Sequence, residues 1–314
     1  MPLNPQLRVF LAQAGLLYPS GQPPREPHIL LAEMRAADES ARAVIARADE
    51  IAPVAHVEQL VISGPVRAIP ARLYTPEGNG PLPALVFLHG GGFSGNLDTN
   101  EIICRRLCRV MGCKVLSVDF RLPPEHPFPA GLEDCYAAIC QLAEHAPQFN
   151  IDSKRIAIGG DSGGGNLAAG VALMARDRGG PVLFFQLLLW PLMDFEVSSQ
   201  SWQDYEGVMM TSAEFLIFRD FYLPNPADRA HPYAAPLRAS DLRGLPSTLV
   251  LTAECDPLRD GGEQYVQRLR NAGVPVTLTR YVGMAHGFLH MGMAVPAEAE
   301  AGFAEIGRGL RKVL

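Results

Sequence analysis

From residue 57 onward, short β-rich runs alternate with helical stretches, and that alternation leaves the chain few folds to choose from. Glu58–Ser63 and Val66–Tyr74 read as strands joined at Gly64-Pro65, a hairpin signal. Ala84–His89, Lys114–Phe120, Arg155–Gly159 and Val182–Trp190 read as further strands. Helices over about Thr99–Met111, Ala130–His145 and Ser162–Arg178 separate them. After an interruption the pattern resumes with strand Thr248–Ala253, helix Leu258–Ala272, strand Val276–Tyr281 and a closing helix over Pro296–Leu314. Strand–helix–strand units cross over with one hand, so this order predicts an α/β chain with a mostly parallel sheet and helices on both faces.

Two segments stand outside the alternation. Residues 1–55 read as helical, with Leu7, Phe10, Leu11, Ala14 and Leu17 at helical spacing. A proline-rich link, Pro19–Pro27, leads to a second helix over about His28–Ile51, with Leu30, Met34, Ala37, Ala41, Ile45 and Ala48 on one face. Residues 191–245 carry Trp202, Tyr205, Met209, Met210, Phe215, Phe218, Phe221 and Tyr222 among several prolines, with the clearest helix at Ser212–Tyr222. The expected division is a core of 56–190 and 246–314, with 1–55 and 191–245 as two parts of a helical cap.

Composition narrows the partners. Apolar residues make up 48% of 314, enough for a large core, and the net charge of −6 comes without a basic stripe, so nucleic acid is not expected as a partner. The longest apolar run, Pro181–Met193, is interrupted by Gln186 and is too short to span a membrane. No basic segment leads into an apolar one at the N-terminus, so a secretory signal is not expected. Six cysteines then read as free thiols in a reducing compartment, the cytoplasm. Cys104 and Cys108 lie four apart, but no CxxC and no nearby His completes a metal site. Cys255 stands out only because it precedes a candidate acid.

Gly160-Asp161-Ser162-Gly163-Gly164 falls between a predicted strand and a predicted helix. This is the G-x-S-x-G pattern in which a serine sits on a sharp strand-to-helix turn with small residues two positions either side. The helix N-terminus also aims N–H groups at a developing oxyanion. Gly163-x-Gly165-x-x-Ala168 fits a dinucleotide-binding fingerprint as well, but it follows the fifth strand instead of the first and lacks the later acid. No P-loop occurs. His89-Gly90-Gly91-Gly92-Phe93 ends the strand Ala84–Leu88, and consecutive glycines let N–H groups approach a bound carbonyl. Together with the N–H of Gly163, this loop offers donors for a tetrahedral intermediate.

Where a serine on such an elbow is the nucleophile, an acid and then a histidine follow it along the chain. Asp256 follows the strand ending at Ala253, although Asp before Pro257 also suits a helix cap; Glu254 and Asp260 are alternative acids. His286, between the last strand and the last helix, is the candidate base. His290 lies four residues on, but Gly287 occupies the Glu position of HExxH, so a zinc helix is not indicated. His89 belongs to the glycine loop and is the weaker base.

Taken together, His89-Gly-Gly-Gly-Phe93, Gly160-Asp-Ser-Gly-Gly164, Asp256-Pro-Leu-Arg-Asp260 and His286-Gly-Phe288 resemble the bacterial hormone-sensitive-lipase-like (family IV) esterases of the α/β-hydrolase superfamily. Asp119-Phe-Arg-Leu-Pro-Pro-Glu125 with Phe128-Pro-Ala130 resembles a further segment of that family. The likeness covers roughly residues 57–314. It implies an α/β-hydrolase fold, a mostly parallel eight-stranded sheet with a helical cap built from the N-terminus and an insertion after the sixth strand. It further implies nucleophile Ser162, acid Asp256, base His286 and oxyanion donors Gly91, Gly92 and Gly163. Hydrolysis of short- to medium-chain carboxylic esters without a cofactor or metal follows from the same likeness. Three positions depart from the family pattern: Gly163 where Ala is usual, Pro123 in place of Ala, and Gly262 where Glu is frequent.

The expected chemistry is acyl transfer through Ser162, with a small-molecule ester as partner. A non-catalytic binder on the same fold, or a related deacetylase, amidase or acyltransferase chemistry, is the alternative. Trp190, Tyr205, Met209, Phe215 and Phe218, with Met210 beside them, are candidate substrate-binding residues. The last strand is expected at a sheet edge, where a homodimer would pair.

Overall fold

The computed structural model describes residues 3–19, 23–45, 52–92 and 94–313, without side-chain detail for 37–45. The strands are β1 (His56–Ser63), β2 (Ala68–Thr75), β3 (Leu82–Leu88), β4 (Lys114–Val118), β5 (Ile151–Asp161), β6 (Phe185–Leu189), β7 (Ser247–Cys255) and β8 (Val276–Ala285). They form one sheet in the order β1-β2-β4-β3-β5-β6-β7-β8. β2 pairs antiparallel with both β1 and β4; the other pairings are parallel.

The helices are α1 (Pro5–Gln13), α2 (Pro27–Ile45), α3 (Glu101–Met111), α4 (Ala130–Glu144), α5 (Gly163–Asp177), α6 (Gln200–Tyr205), α7 (Ser212–Tyr222), α8 (Arg259–Asn271) and α9 (Pro296–Arg311). β3, β4 and β6 are buried almost throughout because both sheet faces are covered. Ala84, Val86 and Leu88 of β3 join Leu132, Val171 and Tyr265 from α4, α5 and α8. Leu85 and Phe87 point the other way and join Leu107 and Ile306 from α3 and α9. This is the period-two alternation of a strand buried on both sides.

Most predicted boundaries lie within a few residues of those observed. β8 runs four residues past the predicted Tyr281 and delivers the chain directly to His286. β6 starts at Phe185 rather than Val182, which is exposed. The expected continuation of α2 to Ile51 falls outside the described residues. Among the described residues no helix is long and apolar enough to cross a membrane.

The N-terminal segment and the insertion after β6 meet over the carboxyl ends of the strands. Leu17 bridges Val208, the Met209 N–H donates to Leu16 O, and the Tyr18 N–H donates to Gly207 O. Arg25 adds an ion pair to Glu214 at 2.7 Å. The insertion is anchored by Asn166 of α5, whose amide donates to Leu192 O and Ala234 O.

Candidate active site

Ser162 is the single residue between β5 and α5, with φ 54° and ψ −120°. A non-glycine residue held there stores about 1–3 kcal/mol of backbone strain. The strain is maintained by packing that only glycine permits. A Cβ on Gly160 would lie 2.3 Å from Gly164 O, and one on Gly164 would lie 2.0 Å from Leu88 O. The turn is pinned to the end of β6: the Ser162 N–H donates to Leu189 O, and the Leu192 N–H donates to Ser162 O.

The glycine loop after β3 lies beside it. Gly91 and Gly92 have φ of 91° and 57°, open to glycine at little cost. The Gly91 carbonyl accepts from the N–H and hydroxyl of Ser94. Among the described residues, the N–H groups of Gly91, Gly92 and Gly163 donate to no other group. The sequence reading named these three as oxyanion donors.

Asp256 and His286 are delivered by a register pair. Cys255 at the end of β7 faces Ala285 at the end of β8, so the residues that follow leave the sheet side by side. Asp256 is fully buried; its Oδ1 accepts the Leu258 N–H at 2.8 Å. Its Oδ2 lies 2.8 Å from His286 Nδ1, and His286 Nε2 lies 2.9 Å from Ser162 Oγ. One tautomer satisfies all three groups: Nδ1–H donates to Asp256, and Nε2 accepts from the serine hydroxyl.

The alternative acids are engaged elsewhere. Glu254 accepts the Gly283 N–H at 2.8 Å, and Asp260 accepts the Ser201 N–H at 2.8 Å. His89 stacks on Phe120 with centroids 4.3 Å apart and turns Nδ1 to Gly90 O. His290 lies 3.1 Å from the buried carboxylate of Asp161, whose other oxygen accepts the Gly90 N–H at 2.8 Å. Burial works to raise the Asp161 pKa, but the hydrogen bond and charge of His290 and the Gly90 N–H outweigh it and hold the carboxyl below its ordinary value. Cys255 is pushed up to about 11, first by burial and then by the charge of Glu254, so its thiol stays protonated at neutral pH.

Above Ser162 opens a largely apolar cavity of about 420 Å³. Trp190, Met209, Met210, Phe215 and Phe218 line it, as the sequence reading expected. Tyr205 does not. It closes α6 as a buried side chain in the cluster that holds Cys255, with the Arg259 guanidinium 5.4 Å over its ring. An aromatic residue in the insertion is an equally good packing residue, and the direction α6 leaves the sheet decides between the two uses.

The N-terminal segment contributes wall that the sequence reading did not assign: Leu16, Tyr18, Arg25, Leu30 and Met34. Met34 reaches the glycine loop after β3, since a Cβ on Gly92 would lie 2.8 Å from its methyl carbon. The sequence places Leu30 and Met34 on one helix face, but nothing local says what that face covers. His290 also borders the cavity.

The family described as having the alpha/beta hydrolase fold matches residues 85–290. Carboxylic ester hydrolase LipN of Mycobacterium tuberculosis is 46% identical over 250 residues, which cover 76% of this chain and 66% of that relative, just under two thirds of its length. Carboxylesterase NlhH of the same organism is 39% identical over 268 residues, 83% of each chain. A hyperthermophilic esterase from the archaeon Pyrobaculum calidifontis superposes with a TM-score of 0.89 at 38% identity, covering 99% of both chains. The chain belongs to the hormone-sensitive-lipase-like family of the alpha/beta hydrolase fold.

Proposed function

We propose that this protein is a serine carboxylesterase acting on short- to medium-chain carboxylic esters. The observation that carries the reading is the unbroken hydrogen-bonded chain Asp256–His286–Ser162 at the floor of an apolar cavity. The relatives named as ester hydrolases support it.

In this reading Ser162 Oγ attacks the ester carbonyl carbon while His286 Nε2 takes its proton. Asp256 keeps the proton on Nδ1 and stabilises the imidazolium. The N–H groups of Gly91, Gly92 and Gly163 receive the oxyanion at the floor of the apolar cavity. Collapse of the tetrahedral intermediate expels the alkoxide, which takes the proton from His286. Water then attacks the acyl-enzyme with His286 as base and releases the acid and free Ser162.

The N-terminal helices and the 191–245 insertion act as the cap that encloses the substrate. Trp190, Met209, Phe215 and Phe218 form the wall that selects its size. The exposed edge of β8 is the proposed homodimer contact, to be checked by light scattering. The six free cysteines, all buried except the half-buried Cys140, suit a reducing compartment, hence the cytoplasm.

The deciding experiment is hydrolysis of p-nitrophenyl esters from acetate to laurate by the wild type and Ser162→Ala. Turnover of short chains, lost in the variant, is expected. A folded wild type inactive on every chain would overturn the reading.

A further inference from the structure

We infer that Ser201, on α6 of the insertion, is a positioning residue that fixes the loop carrying Asp256 by a reciprocal helix cap with Asp260. The inference rests on the esterase reading above.

Ser201 and Asp260 are each the second residue of a helix, α6 and α8. N–H groups in a helix's first turn have no partner within the helix. Here each helix supplies the other's missing acceptor. The Ser201 N–H donates to Asp260 Oδ2 at 2.8 Å, and the Asp260 N–H donates to Ser201 Oγ at 3.2 Å. The pairing has the logic of a capping box, written between two helices 59 residues apart.

The hydroxyl does a second thing. Ser201 Oγ donates its only hydrogen to Pro257 O at 2.7 Å. The Ser199 hydroxyl, 3.0 Å away, must therefore be the donor in its contact with Ser201. Ser201 is fully buried, so no water can replace these bonds. Pro257 follows Asp256, and the carbonyl held by Ser201 belongs to the peptide leading into Leu258, whose N–H is the second ligand of the Asp256 carboxylate. A shift of this peptide moves the carboxylate relative to His286.

The remaining contacts hold the same loop from the other side. Arg259 donates to Asp260 Oδ1 at 2.9 Å and to Glu254 O at 3.0 Å. Glu254 in turn accepts from Gly283, three residues before His286. Ser201 is not part of the cavity wall, so its effect on turnover acts through Asp256 and not through substrate contact.

The test compares Ser201→Ala and Asp260→Asn with wild type and Ser162→Ala on p-nitrophenyl butyrate, with active sites counted by a fluorophosphonate. A displacement of the acid should lower kcat per titrated site about 10- to 100-fold. KM should stay within about twofold, because ground-state binding is untouched. Asp260→Asn, which keeps one oxygen for the Ser201 N–H, should fall between wild type and Ser201→Ala. Unchanged kcat per titrated site, with only a lowered thermal midpoint, would overturn the inference and leave a purely structural cap. If Ser201→Ala does not fold, Asp260→Asn decides by the same kcat-against-KM split. Activity surviving in Ser162→Ala would instead sink the esterase reading itself.

Discussion

Asp161 Oδ1 accepts the Gly90 N–H at 2.8 Å, so the residue before the proposed nucleophile holds the residue before the proposed oxyanion donors. Elbow and glycine loop are thereby one unit. His290 closes the unit from the cavity side through Asp161 Oδ2.

Asp161→Ala, which removes the acceptor of the Gly90 N–H as well as the charge, should therefore act on both stability and turnover. Its carboxyl is held below the ordinary value when folded, so its stabilising contribution is present above the ordinary carboxylate range and is lost as pH falls through the folded value. The variant should lack that part of the acid-unfolding dependence, visible by circular dichroism across an acid titration. Loosening the glycine loop that carries the proposed oxyanion donors should also lower kcat by about 10²-fold, the usual effect of losing one donor. An unchanged kcat would mean that Gly90 needs no anchor.

The three proposed triad residues should fail together and not additively. Ser162→Ala and His286→Ala should each lower kcat about 10⁶-fold, Asp256→Asn about 10⁴-fold, and a double variant no further than the worse single. Steady-state hydrolysis of p-nitrophenyl butyrate measures each. Additive losses would show that the residues do not work as a unit.

Gly164→Ala should be among the most damaging small changes available. Its Cβ would sit 2.0 Å from Leu88 O and 2.6 Å from His89 O, and backbone atoms cannot swing away as a side-chain tip does. A loss of at least about 3 kcal/mol is expected, read from denaturant unfolding. Gly273→Ala provides the contrast. No atom lies within 4 Å of its Cβ, and only its φ of +76° opposes the change, at about 1–2 kcal/mol.

Trp190→Ala should change size selectivity. The indole meets the rings of His286, Phe288 and His290 edge-on and borders the cavity. Removing it lengthens the space beside Ser162, so activity on hexanoate and octanoate should rise relative to acetate. An identical chain-length profile would remove Trp190 from the wall.

Much of this site was legible in the residues because its signals are local. Gly160 and Gly164 must flank Ser162 for steric reasons visible within five positions. Gly91 and Gly92 are written as a run. Asp256 was ambiguous among three acids because all three leave the same strand end, and the sequence carries no sign of which carboxylate meets His286. Tyr205 is ambiguous for a similar reason: its apolar bulk suits a pocket wall and a packed core equally, and the fold places it in the core. Arg25, Leu16 and Met34 were not assigned to the wall at all.

By itself, then, the sequence determined the order of strands and helices, the sharp turn at Ser162 and the glycine loop, since these follow from side-chain periodicity and backbone sterics over a few residues. The tertiary structure alone decided who meets whom at long range. It set His286 against Ser162 across 124 residues, Ser201 against Asp260 across 59, and Arg25 against Glu214 across 189. Such contacts depend on where the sheet's strand order and the two covering segments bring the chain together. No local preference encodes that placement, because the same side chain is compatible with any neighbour of fitting shape and charge.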